Sequence, residues 1–273
     1  MKKIAFIGAG AMAEALVKGL IAAEQLPAEA IWLTNHANEA RLQELHSEYG
    51  VSITRSRTEL LRDAAVIILS MKPKDAEAAM LYLKEAKLKP GQIVVSVLAG
   101  IHTSFLEKYL PEGQPVVRVM PNTSATILEA ATAVAAGVAA GSYEMRLVSS
   151  LFETVGTAVQ VEEEAMDAVT AISGSGPAYL YYMMEALEEA SIQVGLDAFI
   201  GKQLLIQTFK GVAKMLEQSD LTPAQLRANI TSAGGTTAAG IGVLEEQGVK
   251  AAVQACVHAA ATRSKEMGQA FTK

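Results

Sequence analysis

A glycine-rich segment near the start of the chain has residue types and spacing suited to holding an anion. The segment reads Gly8-Ala9-Gly10-Ala11-Met12-Ala13, which is a Gly-x-Gly-x-x-Ala pattern between a short apolar run and a helical pattern. In this context Gly8 permits a tight turn, Gly10 lets a pyrophosphate approach the backbone, and Ala13 lets the helix lie close to the strand. The N–H groups and positive dipole end of the helix would then face the phosphates of a dinucleotide.

A second segment with anion-binding chemistry lies in the last quarter of the chain. It reads Ser232-Ala233-Gly234-Gly235-Thr236-Thr237 and enters another helical pattern. Hydroxyls and free N–H groups at such a turn suit a carboxylate. The alternative is an ordinary helix N-cap. A cap needs one Ser or Thr, however, whereas residues 229–237 supply four together with two glycines.

The end of the second predicted strand bears on which dinucleotide would bind. A site for NAD expects Asp or Glu there to accept hydrogen bonds from the ribose hydroxyls. This stretch has no carboxylate before Glu39, and the hydroxyl of Thr34 and the amide of Asn35 can donate to a 2′-phosphate. The nearby cations are His36, Arg41 and Arg57. These groups favour NADPH, the alternative being that they are ordinary polar groups of a loop.

Three later loops follow predicted strands, and we expect them to reach the cofactor at the carboxyl edge of the sheet. They are Ser70-Met71-Lys72-Pro73, Val97-Leu98-Ala99-Gly100 and Met120-Pro121-Asn122-Thr123. Asn122 is the better candidate to fix the nicotinamide side. Lys72 either binds phosphate or lies at the edge of its loop.

The elements that would position these loops alternate along the first part of the chain. Apolar strand-like runs occur at residues 3–7, 30–33, 65–69, 92–97 and 115–120, with two more at 131–136 and 157–161 that extend the sheet at its far edge. Helical patterns between them occur at 12–23, 39–48 and 76–84. This alternation predicts an α/β, doubly wound, mostly parallel sheet of the Rossmann type over residues 1–162.

The remaining residues, 163–273, are predicted to form an all-helical domain. Helical patterns occur at 166–172, 177–194, 199–216, 237–246 and 250–267. The break Ser173-Gly174-Ser175-Gly176-Pro177 either lets a backbone or ligand come close or is a plain turn between helices. Because so many Ala, Met and Leu side chains exceed what a small isolated domain can bury, we expect a homodimer through this region.

Composition excludes several classes of function. The net charge of −6 supplies no basic stripe for nucleic acid, and no apolar run is long enough for a membrane span. The single Cys256 fits a reducing, cytoplasmic setting and is predicted to be buried. No metal-ligand spacing is present, and no histidine has an acid partner evident in the sequence. Hydroxyls are therefore expected to do more of the chemistry than a histidine acid.

These motifs together resemble pyrroline-5-carboxylate reductases over essentially the whole chain. The similarity includes residues 6–12, the Met71-Lys72-Pro73 loop, Val117-Arg118-Val119-Met120-Pro121-Asn122, the stretch 167–179, and the signature from Pro223 to Glu245. The resemblance implies that NADPH delivers hydride to the C=N bond of Δ1-pyrroline-5-carboxylate and forms L-proline, the last step of proline biosynthesis. It implies also that the helical domains interlock into dimers, which in much of the family assemble into decamers.

The same resemblance implies roles for particular residues. Asn229, Thr236 and Thr237 would contact the substrate, with Ser232, Gly234 and Gly235 shaping the pocket. Thr237 is the candidate catalytic residue, which either donates a proton to the ring nitrogen or only orients the ring. One departure concerns cofactor choice, because many bacterial members carry arginine where this chain has His36. NADH therefore stays open as a weaker cofactor.

Two other functions compete with this interpretation. A β-hydroxyacid or imine dehydrogenase of related two-domain architecture lacks support, since the catalytic lysine pattern of the β-hydroxyacid dehydrogenases is missing. A regulatory module that binds NADPH without turnover would be expected to have a degenerate second domain, yet the turn at 232–237 is intact.

Overall fold

A computed structural model of the chain describes residues 3–269 and residue 271. The chain folds into two compact units. The sheet unit comprises Met1–Pro177 and Ala259–Lys273, and the helical unit comprises Ala178–His258. The predicted border after residue 162 marks where the strands end, and as a border between domains it stays a prediction.

One eight-stranded sheet forms the centre of the sheet unit, in the order β3-β2-β1-β4-β5-β6-β7-β8. Every neighbouring pair is parallel except β6 and β7. The prediction of a doubly wound, mostly parallel sheet is confirmed, including both far-edge strands. The strands are β1 Ile4–Ile7, β2 Ile31–Thr34, β3 Ser52–Ile53, β4 Val66–Leu69, β5 Ile93–Ser96, β6 Val116–Met120, β7 Ala130–Ala136 and β8 Gly156–Gln160.

The central strands are continuous apolar runs because helices cover both of their faces. All four residues of β4 are buried, and they alternate between the two sides of the sheet. Val66 and Ile68 belong to one core cluster, while Ile67 and Leu69 belong to the other. A parallel sheet buried on both faces leaves its carboxyl edge as the place where loops can carry function.

The helices of the sheet unit connect and cover these strands. Ala13 is fully buried, which allows the first helix to lie against the core as the glycine motif predicted. The helices are α1 Ala11–Ala22, α2 Glu39–Tyr49, α3 Arg57–Leu61, α4 Ala76–Ala86, α5 Thr103–Glu107, α6 Ser142–Phe152 and α7 Met166–Val169. A π-helical turn at Thr170–Gly174 follows α7 directly.

The remaining helices are long and carry a large exposed apolar surface. They are α8 Gly176–Gln193, α9 Ala198–Glu217, α10 Pro223–Asn229, α11 Thr236–Glu246 and α12 Val249–Gln269. Every residue of the helical unit is described, and Gly201 alone is buried in the single protomer. Tyr181 and Tyr182 on α8 and Phe199 on α9 are 70%, 75% and 68% exposed. The helical unit therefore has no hydrophobic core of its own.

The single cysteine lies on the last of these helices. Cys256 on α12 is exposed in the protomer, so the prediction that it is buried was wrong for the single chain. The reason is that its part of α12 belongs to the unit without a core. Within the part of the chain that the structure describes, none of the helices is long and apolar enough to cross a membrane.

Candidate active site

The loops that follow β1, β2, β4 and β5 meet at the carboxyl edge of the sheet. The Gly8 N–H donates to the Thr34 carbonyl at 2.9 Å, and the Ser70 hydroxyl donates to the Gly8 carbonyl at 3.1 Å. The Val97 N–H donates to the Leu69 carbonyl at 3.1 Å and so holds the next loop beside them. The structure thus brings together the loops of the predicted cofactor site.

The two glycines of the first loop have different physical roles. Gly8 has φ +115°, and a Cβ there would lie 2.6 Å from the backbone carbonyl carbon of Ser70, so the turn itself requires glycine. Gly10 has an ordinary φ of −82° and caps α1. Among the described residues, none comes within 4 Å of a Cβ built on Gly10. The space above Gly10 and the first N–H groups of α1 therefore fit a pyrophosphate.

Arg41 fastens this glycine loop to α2. Its Nε donates to the Ala9 carbonyl at 3.2 Å, and its guanidinium pairs with Glu14 and Glu44. The hydrogen bond that Arg41 donates to Glu44 is the largest cause that raises the pKa of Arg41, with the bond to Glu14 adding to it. Because two carboxylates already neutralise Arg41, it positions the loop and is not a free cation for phosphate.

The loop after β2 is closed by its own side chains. The Asn35 amide donates to the Asn38 carbonyl at 2.7 Å, and the Asn35 side-chain oxygen accepts from the Asn38 N–H at 3.0 Å. The amide that was predicted to donate to a 2′-phosphate is therefore already engaged within the loop. Thr34 is half-buried at the end of β2, and His36 is exposed.

The arginine that contacts this loop is not the one predicted. Arg57 pairs with Glu85 and lies over the ring of Tyr82, both on α4. Arg55 instead donates from Nη1 to the carbonyls of Asn35 and His36 at 3.0 and 2.8 Å. Arg55 follows β3, and that strand has only two residues, too few to produce a recognisable pattern.

Two further loops carry small or flexible groups at the same edge. Lys72 is exposed and precedes a short 3-10 turn at Pro73–Asp75, with Met71 half-buried before it. In the loop after β5, Val97 and Ala99 are partly exposed. Leu98 and Gly100, which alternate with them along the chain, are buried. The alternation leaves Val97 and Ala99 available to a ligand.

Asn122 joins the loop after β6 to the π-helical turn. Its amide donates to the Ser173 carbonyl at 3.1 Å, and its side-chain oxygen accepts from the Ser124 N–H at 3.2 Å. A Cβ on Gly174 would lie 2.7 Å from Cε of Met120. Ser173 and Gly174 thus contact the loop after β6, and they end a π-helical turn between α7 and α8.

A buried ionic cluster below this edge was missed in the sequence. Arg118 on β6 is 1% exposed and donates to Oε1 of Glu163 at 2.9 Å, while Oδ1 of Asp167 lies 4.0 Å from its Nη2. His102 Nδ1 is 3.3 Å from Glu163 Oε1, so one histidine does have an acid partner. Ser264 on α12 donates to Asp167 at 2.6 Å. These partners lie far apart in sequence, which is why no local pattern revealed them.

The six predicted substrate residues all lie in the helical unit. Asn229 ends α10, and Thr236 and Thr237 are the first two residues of α11. Between them Gly234 has φ +72°, and the Gly235 N–H donates to the Ser232 carbonyl at 3.1 Å. A Cβ on Gly235 would lie 2.6 Å from Ser232 Oγ. The turn is compact and presents the first N–H groups of an eleven-residue helix.

The doubly wound sheet and the open glycine loop at its carboxyl edge are those of a dinucleotide-binding domain, and the similar proteins make the chain an NAD(P)H-dependent oxidoreductase. Residues 163–267 match the family model for pyrroline-5-carboxylate reductase dimerisation, and residues 3–100 match that for NADP oxidoreductase, coenzyme F420-dependent.

Curated relatives and solved structures agree on the family. Pyrroline-5-carboxylate reductase 1 of Bacillus spizizenii is 44% identical over 100% of this chain and 91% of its own length. The reductase of Methanosarcina acetivorans is 38% identical, covering 98% of each chain. The Coxiella burnetii reductase structure has a TM-score of 0.90 at 34% identity, covering 97% of this chain and 98% of its own. The Plasmodium falciparum reductase, solved with NADP bound, has a TM-score of 0.87 at 31% identity with the same coverages. The chain belongs to the pyrroline-5-carboxylate reductase family.

Proposed function

We propose that the chain reduces the C=N bond of Δ1-pyrroline-5-carboxylate with NADPH and releases L-proline, the last step of proline biosynthesis. The observation that carries the proposal is that this member of the family has both the open cradle above Gly10 and the compact turn at 232–237. One serves a dinucleotide and the other an organic anion, which are the two ligands that this reaction needs.

The cofactor residues are proposed from the edge of the sheet. Gly8, Gly10 and the first N–H groups of α1 hold the pyrophosphate, and the loops at Ser70–Pro73, Val97–Gly100 and Met120–Asn122 border the ribose and nicotinamide. NADPH, when bound, supplies a hydride from C4 of its nicotinamide to C5 of the ring. NADPH use is supported by the NADP found in the Plasmodium falciparum relative, with NADH as the weaker alternative.

The substrate residues are proposed from the turn that enters α11. The N–H groups at the start of the helix hold the carboxylate, where the helix dipole favours negative charge. Ser232, Gly234 and Gly235 shape the turn, while Asn229 and Thr236 contact the substrate. The Thr237 hydroxyl hydrogen-bonds the ring nitrogen. Because a protonated imine is already electrophilic at C5, orientation and electrostatics supply most of the catalysis.

The first experiment is oxidation of NADPH by the purified chain with pyrroline-5-carboxylate, repeated with NADH. We expect loss of the reduced nicotinamide absorbance together with formation of L-proline, and faster turnover with NADPH. No oxidation of either cofactor would overturn the proposal.

The role of Thr237 is tested by Thr237→Ala, with Thr208→Ala as the matched control. Thr208 lies on α9 and donates its hydroxyl to the Leu204 carbonyl, so its loss leaves the turn unchanged. We expect kcat/KM to fall about tenfold or more in Thr237→Ala, as for loss of a positioned hydrogen bond in the transition state. A Thr237→Ala variant with wild-type kcat/KM would remove Thr237 from catalysis.

Homo-oligomerisation follows from the match to the dimerisation domain. The finer proposal is a homodimer through α8 and α9, in which a second copy covers the exposed Tyr181, Tyr182 and Phe199. Sedimentation velocity at several protomer concentrations distinguishes a dimer from a decamer, and a stable monomer would contradict the proposal. A cytoplasmic location is proposed because the single Cys256 suits a reducing compartment.

A further inference from the structure

Arg55 holds the loop after β2, and the same guanidinium also pairs with the carboxylate of Glu39. Arg55 Nη1 donates to the carbonyls of Asn35 and His36, while its Nε and Nη2 both donate to Oε2 of Glu39, at 3.1 and 2.9 Å. One edge of the guanidinium therefore grips the loop, and the other edge is directed at a single carboxylate. The hydrogen bond from Arg55 is the main cause that lowers the pKa of Glu39.

Three other polar side chains near this loop already have partners. Arg41 is neutralised by Glu14 and Glu44, and Arg57 by Glu85. The Asn35 amide is used within its own turn. Arg55 is thus the arginine whose guanidinium touches the loop where this fold places the ribose next to adenine.

The edge of Arg55 that faces Glu39 is the one that recognises phosphate. Nε and Nη2 form the planar fork that matches two oxygens of a phosphate. Both side chains are well exposed, at 45% for Arg55 and 57% for Glu39. Exposed ion pairs of this kind contribute little to stability, so an incoming dianion can replace the carboxylate easily.

Resting on the proposed function, we infer that Arg55 and Glu39 form an exchangeable pair that sets the preference between NADPH and NADH. With NADPH, the Arg55 fork binds the 2′-phosphate and Glu39 is displaced. With NADH, Glu39 stays in place and accepts a hydrogen bond from the ribose hydroxyl, the role that an acid has after the second strand of NAD sites. Arg55 thus supplies the cation that the position of His36 lacks, and Glu39 competes with the phosphate.

The test measures binding without turnover. Calorimetry of the purified chain with 2′,5′-ADP and with 5′-ADP isolates the effect of the 2′-phosphate. Arg55→Met should weaken 2′,5′-ADP binding about tenfold or more and leave 5′-ADP unchanged, with Arg55→Lys intermediate because it keeps the charge and loses the fork. Glu39→Gln should strengthen 2′,5′-ADP binding several-fold, because the competing charge is gone.

Arg263→Met is the control, since it removes an exposed arginine on α12 that pairs with Glu266 and has no part in the proposed cofactor site. It should leave both affinities unchanged. The ratio of kcat/KM for NADPH to that for NADH should fall in Arg55→Met and rise in Glu39→Gln. Unchanged 2′,5′-ADP binding in Arg55→Met, an equal loss in Arg263→Met, or no gain in Glu39→Gln would overturn the inference. A chain that binds 2′,5′-ADP as expected and fails to reduce pyrroline-5-carboxylate would overturn only the proposed function.

Discussion

Replacing Arg118 by methionine tests whether the buried ionic cluster holds the sheet unit together. Arg118 is almost fully buried on β6, and its removal takes away the guanidinium that pairs with Glu163 and lies near Asp167, leaving His102 beside Glu163. Methionine fills similar apolar volume and keeps the strand apolar, so the main change is the loss of a charge. We therefore expect a large loss of stability from electrostatics and a small one from packing.

The size of the loss follows from the distances. At an effective dielectric constant of about 20, the 2.9 Å contact with Glu163 and the 4.0 Å contact with Asp167 give roughly 6 and 4 kcal/mol of attraction. Desolvation of the guanidinium offsets several kcal/mol of that sum. Glu163 keeps the Thr103 N–H at 3.2 Å, and Asp167 keeps the Ser264 hydroxyl at 2.6 Å. We expect a net loss of about 3–5 kcal/mol in the free energy of unfolding.

Urea unfolding followed by the fluorescence of Trp32 provides the measurement. Trp32 is the only tryptophan of the chain, and it lies on β2 with the Lys3 ammonium 3.8 Å from its ring, so it reports on the sheet. All variants are compared at one protomer concentration, because assembly adds to the apparent stability by mass action.

Two comparison variants make the result decisive. Arg263→Met removes an arginine that is 71% exposed and paired with Glu266, and it should change stability by less than about 1 kcal/mol. Arg118→Met combined with Glu163→Gln should recover part of the loss, because one unpaired carboxylate is neutralised. A loss below about 1 kcal/mol in Arg118→Met, or no recovery in the double variant, would refute the electrostatic reasoning.

Three further outcomes are expected. Gly8→Ala should cost about 2 kcal/mol of stability or more because its Cβ meets the Ser70 backbone, whereas Gly10→Ala should keep the melting temperature and weaken NADPH binding in calorimetry; equal effects would contradict this. Gly268→Ala should cost about 1–3 kcal/mol in urea unfolding, since its Cβ lies 2.8 Å from a backbone carbonyl oxygen. Burial raises the pKa of Tyr82 to about 12, so the wild type should lose stability relative to Tyr82→Phe between about pH 10 and 12. Parallel curves of the free energy of unfolding against pH for the two proteins would exclude this effect.

The sign of the Tyr82 effect follows from the direction of its pKa. Burial favours the neutral phenol in the folded state, and the Arg57 charge over the ring acts in the opposite direction. The unfolded chain therefore releases this proton first as the pH rises above about 10. The stability that the buried neutral phenol contributes is fully present below that pH and is lost as the pH approaches 12.

Much of the sheet unit was predictable because its signals are local. The buried runs that became β4 and β5 are apolar throughout, and the pattern around Gly8 and Gly10 places a turn between a strand and a helix. The two-residue β3 escaped detection because it is shorter than any periodic signal. The missed β3 also explains why Arg57 was named as a nearby cation and Arg55 was not considered, since where β3 ends decides which arginine reaches the loop.

The parts that were not predictable depend on partners distant in sequence. Arg118 stands between valines in an apolar strand, and its partners Glu163 and Asp167 lie 45 and 49 residues later. A charged residue in such a strand can equally face solvent at an edge. The exposure of Cys256 was not predicted for a related reason. An alanine-rich helical sequence is compatible with burial by the same chain or by another copy.

The absence of a core in the helical unit has a consequence for how the protein assembles after synthesis. In the single protomer, the helices within residues 178–258 expose their apolar faces to water. If a second copy covers these faces, as proposed above, assembly is second order in protomer and its rate rises with the local concentration of the chain. Translation of one mRNA by several ribosomes would bring chains together and shorten the time for which these apolar faces are exposed. In a mixture of intact and defective copies, a defective copy that still assembles would also consume an intact one, so activity would fall by more than the defective fraction.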